Sequence, residues 1–304
     1  MTNLIKNILI TGGLGHIGSR LMRDIASRYN VTVVDNLYTQ RYCSLFNIPR
    51  DIKFIECPFV DTPLDVIRRS DVVIHLAAIT NASESFGNRD IEEVNVKQTK
   101  EFIDKCEGVV NGKFIFPSST SVYGVASDTV TEDNERYLNP QSPYAESKIE
   151  IEKYLHSREI NHIILRLGTI FGSSPGMRFH TAVNKFCYQA ALGRPLTVWE
   201  QNYEQYRPYL GINDCIHGIN LFMASDIHNQ TYNLITDNFK LSDIINHIKS
   251  ITPIDLEMVD TPLINQYSYS VSIDKLLSLG FAPKDNLYKE ISSTIGMLQC
   301  VKSC

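Results

Sequence analysis

The chain has no stretch approaching about 18 consecutive apolar residues, so it offers no candidate membrane-spanning helix. A signal-peptide pattern is missing too: residues 4–11 read as a short strand with no small-residue cleavage site, and a cytoplasmic protein is the expectation. Basic runs are absent, and the formal net charge is -5. Both facts exclude phosphate neutralisation along nucleic acid as the basis of function and favour a small or medium-sized ligand. The seven cysteines form no CxxC pair and no Cys/His cluster of zinc spacing. The histidines show no HxH or HExxH pattern. No metal is expected, and the cysteines read as reduced structural thiols. Internal repeats and low-complexity segments are lacking as well, which excludes repeat arrays.

What remains is a chain of 304 residues with 43% hydrophobic content, enough for one large core or for a nucleotide-binding domain with a smaller lobe built onto it. Its first half alternates short β-branched runs with helical patterns, the signature of βαβ units. Strands are expected at 7–11, 31–35, 53–56, 71–76, 113–118 and 162–167, giving an α/β fold with a Rossmann-type doubly wound parallel sheet. After Leu167 the texture changes, and the Ser/Pro/Gly loop 172–176 opens segments that are shorter and more mixed. The reading is therefore a dinucleotide-binding domain over 1–167 and a smaller mixed α/β substrate lobe over 168–304. A helix at 213–224, capped by Asn213 or Asp214, lies in a segment of about 209–226 expected to return to the first domain. The tail 286–304 reads as a final amphipathic helix with a frayed end.

The first strand runs into Gly12, Gly13, Leu14, Gly15, His16, Ile17 and Gly18, and an apolar helical pattern follows. Glycines in this context permit a tight turn and close approach of backbone to a pyrophosphate, which then sits against the N–H groups and positive dipole end of the helix. Asp35 ends the second strand about 20 residues on, where a carboxylate accepts hydrogen bonds from ribose hydroxyls and repels a 2′-phosphate. The expected cofactor is NAD rather than NADP. Arg41 is close enough in sequence to serve a phosphate if its loop folds back.

A hydroxyl-rich cluster, Ser118 to Ser121, ends the fifth strand at the sheet edge where ligands bind in such folds. Tyr144 and Lys148 follow at i and i+4 on one helical face. Hydride transfer at a carbinol carbon needs a proton moved at its oxygen, and a tyrosine of pKa about 10 is a poor base at neutral pH. A neighbouring ammonium corrects this, and the Ser119 hydroxyl can hold the substrate oxygen. Ser119, Tyr144 and Lys148 are thus the candidate catalytic residues.

In order along the chain, TGGLGHIG at 11–18, DNL at 35–37, HLAA at 75–78, Asn95 in an NV pair, SSTSVYG at 118–124 and SPYAESK at 142–148 resemble the extended short-chain dehydrogenase/reductase family, in its nucleotide-sugar epimerase and dehydratase branch. The resemblance implies that Gly12, Gly15, His16, Ile17, Gly18, Asp35 and Asn36 face the cofactor. Leu76, Ala77, Ala78 and Asn95 join them, with Leu167 of the RLGTIFG segment, and Lys148 doubles as a ribose ligand. On the substrate side it implies Thr80, Ser119, Thr120 and Arg178, with Asn184 and Arg207 gripping a nucleotide diphosphate; a guanidinium suits phosphate oxygens. A homodimer is implied too, through the helix at about 90–106 and the one bearing Tyr144.

Three departures from the family pattern stand out. Thr120 and Ser121 are neutral where sugar dehydratases and decarboxylases carry acids, which argues against those reactions. Pro58 and Phe59 replace an acidic and an aliphatic residue near the adenine, leaving adenine to be held by packing. Gly211 stands where many members have histidine. The leading expectation is an NAD-dependent nucleotide-sugar epimerase acting through a transient 4-keto sugar. A net 4-dehydrogenase or 4-keto reductase is the alternative, and a catalytically silent dinucleotide-binding relative is the third reading.

Overall fold

The computed structural model describes residues 5–80, 85–87, 89–124, 126, 128–260 and 269–299. Its first part comprises β1 (Asn7–Thr11), α1 (His16–Ile25), β2 (Asn30–Asp35), β3 (Lys53–Glu56), α2 (Leu64–Arg69), β4 (Val72–His75), α3 (Thr99–Cys106), β5 (Lys113–Ser119), β6 (Thr129–Val130), α4 (Pro143–His156) and β7 (His162–Leu167). There follow β8 (Thr169–Phe171), α5 (Ala182–Ala191), β9 (Leu196–Trp199), β10 (Tyr206–Gly211), α6 (Ile212–Ala224) and β11 (Gln230–Leu234). The chain continues with β12 (Asp237–Lys240), α7 (Leu241–Ile251), β13 (Leu256–Val259), β14 (Ser270–Val271), α8 (Asp274–Leu277) and α9 (Leu287–Leu298).

The main sheet has seven strands in the order β11-β7-β5-β4-β1-β2-β3, all pairs parallel. Six were expected; β11 is the seventh. Both faces are covered, as a parallel sheet requires. Successive side chains of a strand point to opposite faces, so Ile8 and Ile10 of β1 pack with Leu21, Met22 and Ile25 of α1 and with Ile219 and Phe222 of α6. Leu9 enters the other layer with Phe102 and Ile103 of α3 and Ile151 and Leu155 of α4. A separate cluster, including Phe171, Phe186, Val198, Ile244, Ile248 and Ile291, forms the core beneath the smaller sheets β12-β10-β8 and β13-β9.

Two helices differ from expectation for physical reasons. The pattern at 90–106 is a π-helical segment, Ile91–Gln98, running into α3. Helix α6 starts at Ile212, and neither Asn213 nor Asp214 caps it. The carboxylate of Asp285, far along the chain, accepts the N–H groups of Asn213 at 2.8 Å and Asp214 at 2.9 Å. That arrangement explains Gly211: a Cβ there would lie 2.1 Å from Asp285 Oδ2. Gly211→Ala is accordingly expected to cost about 1–3 kcal/mol through overpacking and loss of this cap, measured by urea unfolding. The tail helix α9 is capped by Asn286, whose side chain accepts from Lys289 N–H at 3.0 Å; residues 300–304 lie outside the described residues.

Candidate active site

A cavity of about 720 Å³ opens along the carboxyl edge of the main sheet, where the glycine turn, β4, β5 and α4 meet residues that follow β7 in the chain. Its first end is the glycine turn. Gly12 has φ +67°, and a Cβ on it would stand 2.5 Å from the backbone nitrogen of Ala77, so only glycine lets the turn close against the HLAA segment. Gly15 occupies the N-cap of α1 without a side-chain cap, which leaves the first-turn amides and the helix dipole open to an anion. Asp35 fixes the loop from beside it: Oδ2 accepts Leu14 N–H at 3.0 Å and Oδ1 accepts Leu37 N–H at 2.9 Å. Phe59 forms part of the wall, its ring edge-on to His75 at a centroid distance of 4.8 Å. Aromatic surface therefore stands where Pro58 can offer no hydrogen bond. These features fit a dinucleotide, with Gly12 to Gly18 at the pyrophosphate, Asp35 at the ribose and Phe59 at the base.

His16 and His75 both line the cavity as neutral imidazoles with hydrogen-bond partners in the protein. Burial lowers His16 to about 4, and its Nε2 pairs with Gly172 O at 2.9 Å. Burial lowers His75 to about 3, and its Nδ1 pairs with Thr11 Oγ1 at 2.8 Å.

The middle of the cavity carries the hydroxyl cluster and α4. Ser142 caps α4 by accepting Ala145 N–H at 3.2 Å, and Pro143 takes the first helical turn, where its missing N–H costs nothing. That start point places Tyr144 at the mouth of the helix and Lys148 one turn deeper. Strand β5 supplies the other wall, with a proline inside it. The N–H of Lys113 bonds to Asp71 on the β4 side and that of Phe114 to Asn161 on the β7 side, and alternation puts residue 117 on the β4 side. Pairing with β4 ends at Ile115, so Pro117 removes no ladder bond, and its carbonyl accepts Lys148 Nζ at 2.9 Å.

The Tyr144 phenol lies close enough to the Ser119 hydroxyl to be influenced by it, and Ser119 Oγ accepts the Ser121 hydroxyl at 2.9 Å. Burial pushes the Tyr144 phenol up to about 12, while the Ser119 hydroxyl and the Arg178 charge pull it back. Burial also lowers the Lys148 ammonium to about 8, opposed by the Glu152 carboxylate. Desolvation thus acts on both groups against their ionised forms, and a further positive charge in the site favours the phenolate.

At the far end stand Arg178, whose Nη1 donates to Thr80 Oγ1, and Arg207, whose guanidinium lies 5.2 Å from the Tyr269 ring centroid. Arg207 Nη2 is buried and has no hydrogen-bond partner among the described residues. A buried unpaired donor on a cavity wall is what an anionic ligand satisfies. Tyr269 also donates to Thr120 Oγ1 at 3.3 Å. Among the lining residues the carboxylates are Asp35 and Asp90; neither Thr120 nor Ser121 supplies one beside Ser119.

Most of the residues singled out from the sequence line this one cavity, and two stand behind its wall. The Asn95 side chain spans the backbone of Ile79, accepting its N–H at 2.9 Å and donating to its carbonyl at 2.8 Å. Asn184 is fully buried, with Nδ2 donating to Arg178 O at 3.1 Å. Both brace segments that reach the cavity, and Asn184 Oδ1 is buried with no hydrogen-bond partner among the described residues. Sequence reasoning missed Tyr269, Trp199, His180 and Lys185 on the wall; none sits in a motif, although His180 is two residues from Arg178. Among the described residues no group of three or more His, Cys, Asp or Glu could hold a metal ion, and no helix is long and apolar enough to cross a membrane.

Comparison with known families decides the relationship: the model of the NAD dependent epimerase/dehydratase family matches residues 8–234. The chain belongs to this family. It is 30% identical to an uncharacterised UDP-glucose epimerase, YtcB, of Bacillus subtilis (strain 168), over 70% of this chain and 71% of that protein. It is 28% identical to the dTDP-D-glucose 4,6-dehydratase of Dictyostelium discoideum over 79% of this chain, spanning 60% of that enzyme. Among solved structures it resembles UDP-glucuronic acid 4-epimerase from Bacillus cereus in complex with UDP-glucuronic acid and NAD, with TM-score 0.89, 25% identity, and coverage of 97% of this chain and 99% of that one. This member of the epimerase/dehydratase family is therefore an NAD-dependent enzyme of the nucleotide-sugar branch.

Proposed function

We propose that the enzyme is a nucleotide-sugar 4-epimerase. The observation that carries this reading is the composition of the cavity around Ser119: a phenol and an ammonium for moving one proton, and a Thr120 hydroxyl engaged by Tyr269 where elimination of water would call for a carboxylic acid. Tyr144 takes the proton of the sugar C4 hydroxyl and returns it at the end of the cycle. Ser119 holds the C4 oxygen within reach of that phenol, and Lys148, pinned by Pro117 O, stabilises the phenolate. Bound NAD supplies the hydride acceptor for the outward step and the hydride donor for the return. Rotation of the 4-keto sugar between the two steps presents its other face. Arg207, with its buried Nη2, grips the diphosphate and leaves the sugar free to turn.

Purified protein denatured without added cofactor is expected to release NAD, and native enzyme incubated with UDP-, GDP-, CDP- and dTDP-sugars is expected to form a C4 stereoisomer of one of them. Stoichiometric change at the NADH absorbance band with one sugar nucleotide would replace the epimerase by a net dehydrogenase or reductase. Arg207→Gln tests the anchor. Loss of a charged hydrogen bond raises KM for the nucleotide sugar by about 10–100-fold with kcat nearly unchanged, as uniform binding requires.

A further inference from the structure

The glycine turn is gripped from outside by a segment that lies far from it in sequence. Residues 172–177 follow β8 and cross directly over the turn. Gly172 O pairs with His16 Nε2 at 2.9 Å, Ser174 Oγ donates to His16 O at 2.9 Å, and Gly176 N–H donates to Ser19 Oγ at 2.9 Å. Contact is so close that a Cβ on Gly176 would stand 2.3 Å from Leu14 O and 2.5 Å from Gly15 O. From the other side comes the connection after β2: Arg41 Nη1 donates to Gly176 O, Cys43 Sγ to Pro175 O at 3.2 Å, and Ser44 Oγ to Leu14 O at 2.8 Å. The turn is thereby enclosed between two pieces of chain that are also fastened to each other.

The segment leads straight into Arg178 and His180, which line the cavity together with His16 and Arg41. These four groups share one stretch of wall: burial lowers both His180 and His16 to about 4, and the charges of Arg178 and Arg41 act in the same direction. Two guanidiniums and two neutral imidazoles thus gather beside the uncapped N-terminus of α1, a setting that favours an anion spread over several oxygens. We propose that residues 172–177 form a latch across the cofactor's pyrophosphate site, with Ser19 and Arg41 as its fastenings, and that opening this latch sets the rate at which the dinucleotide leaves. The inference rests on NAD binding alone and is independent of which sugar reaction follows.

Dissociation is read without any nucleotide sugar present. Protein loaded with NADH is mixed with excess NAD, and the loss of bound-NADH fluorescence is followed for wild type, Ser19→Ala and Gly176→Ala. Removing the Ser19 hydroxyl leaves the Gly176 N–H unpaired and accelerates release about tenfold. Gly176→Ala lifts the latch and accelerates it further; a folded Gly176→Ala protein that retains no NADH is the same result at its limit. Release from both variants within about twofold of wild type overturns the latch. Hydrogen exchange on the wild-type chain gives a reading that needs no variant: NADH is expected to slow exchange of the amides at 173, 174, 176 and 177, and unchanged exchange there also overturns the proposal. A protein that interconverts sugars but loses NADH equally fast with and without these substitutions keeps the epimerase and loses the latch. Slow release without any sugar interconversion does the reverse.

Discussion

Tyr144→Phe is expected to lower kcat by about three orders of magnitude while NAD content and melting temperature stay close to wild type, since positioned acid–base groups contribute about 10²–10⁴-fold. The aromatic ring that packs at the mouth of α4 is kept, and only the hydroxyl beside Ser119 is lost. Lys148 then has no phenolate to stabilise, and no other side chain at that place on the cavity wall carries a phenol. The diphosphate and dinucleotide contacts are untouched, so KM should move little. Such a pattern, kcat lost with KM kept, marks an interaction made in the transition state. Isomerisation within tenfold of wild type would remove Tyr144 from the chemistry, and an unchanged biological role for the variant would favour a non-enzymatic dinucleotide-binding protein.

The second large effect concerns stability. Behind the Ser-rich end of β5, Arg166 of β7 meets Glu152 of α4 through three contacts, at 3.1, 3.2 and 2.6 Å, with both side chains 5% exposed. Ser118 donates to the same carboxylate at 2.5 Å, and Arg166 Nη1 donates to Tyr123 OH at 3.0 Å. Removing the cation alone leaves a buried carboxylate with only the Ser118 hydroxyl bond and the Lys148 charge to offset its desolvation, so Arg166→Met should lose about 3 kcal/mol in urea unfolding. The double variant Arg166→Met with Glu152→Gln should recover much of that loss, because no buried charge remains to be desolvated. If the single and double variants are equally unstable, packing of the Arg166 stem, and not its charge, is what the fold requires. Ser118 precedes Ser119, so the same network also bears on the geometry of the Ser119 hydroxyl.

What could be read from the sequence was what local pattern encodes. The glycine turn, Asp35, the Ser-rich strand end and the Tyr144/Lys148 pair each depend on spacing within a strand or a helical turn, and the structure brings all of them to one cavity. The capping of α6 was misread because the capping carboxylate, Asp285, comes from a distant segment, leaving no local signal. Tyr269 was invisible for the same reason: it reaches Thr120 through a contact that only the tertiary fold creates. Asn95 and Asn184 show the converse. The family resemblance implied ligand contact for both; the Asn95 amide is engaged on both sides by the backbone of Ile79, whereas Asn184 donates to Arg178 O and its buried Oδ1 has no partner among the described residues.

The place of β11 has a consequence for how the chain must be made. Strand β7 reads HIILRL and is buried along its whole length because β11 pairs with it from Gln230 to Leu234. On the ribosome, however, β7 is finished long before β11 emerges. Until then it is an unpaired apolar edge, open to pairing with the same strand of a neighbouring nascent chain. A gene fragment stopping at residue 167 would freeze the protein in that condition, so it should collect in inclusion bodies, whereas one extended through residue 234 should yield far more soluble product.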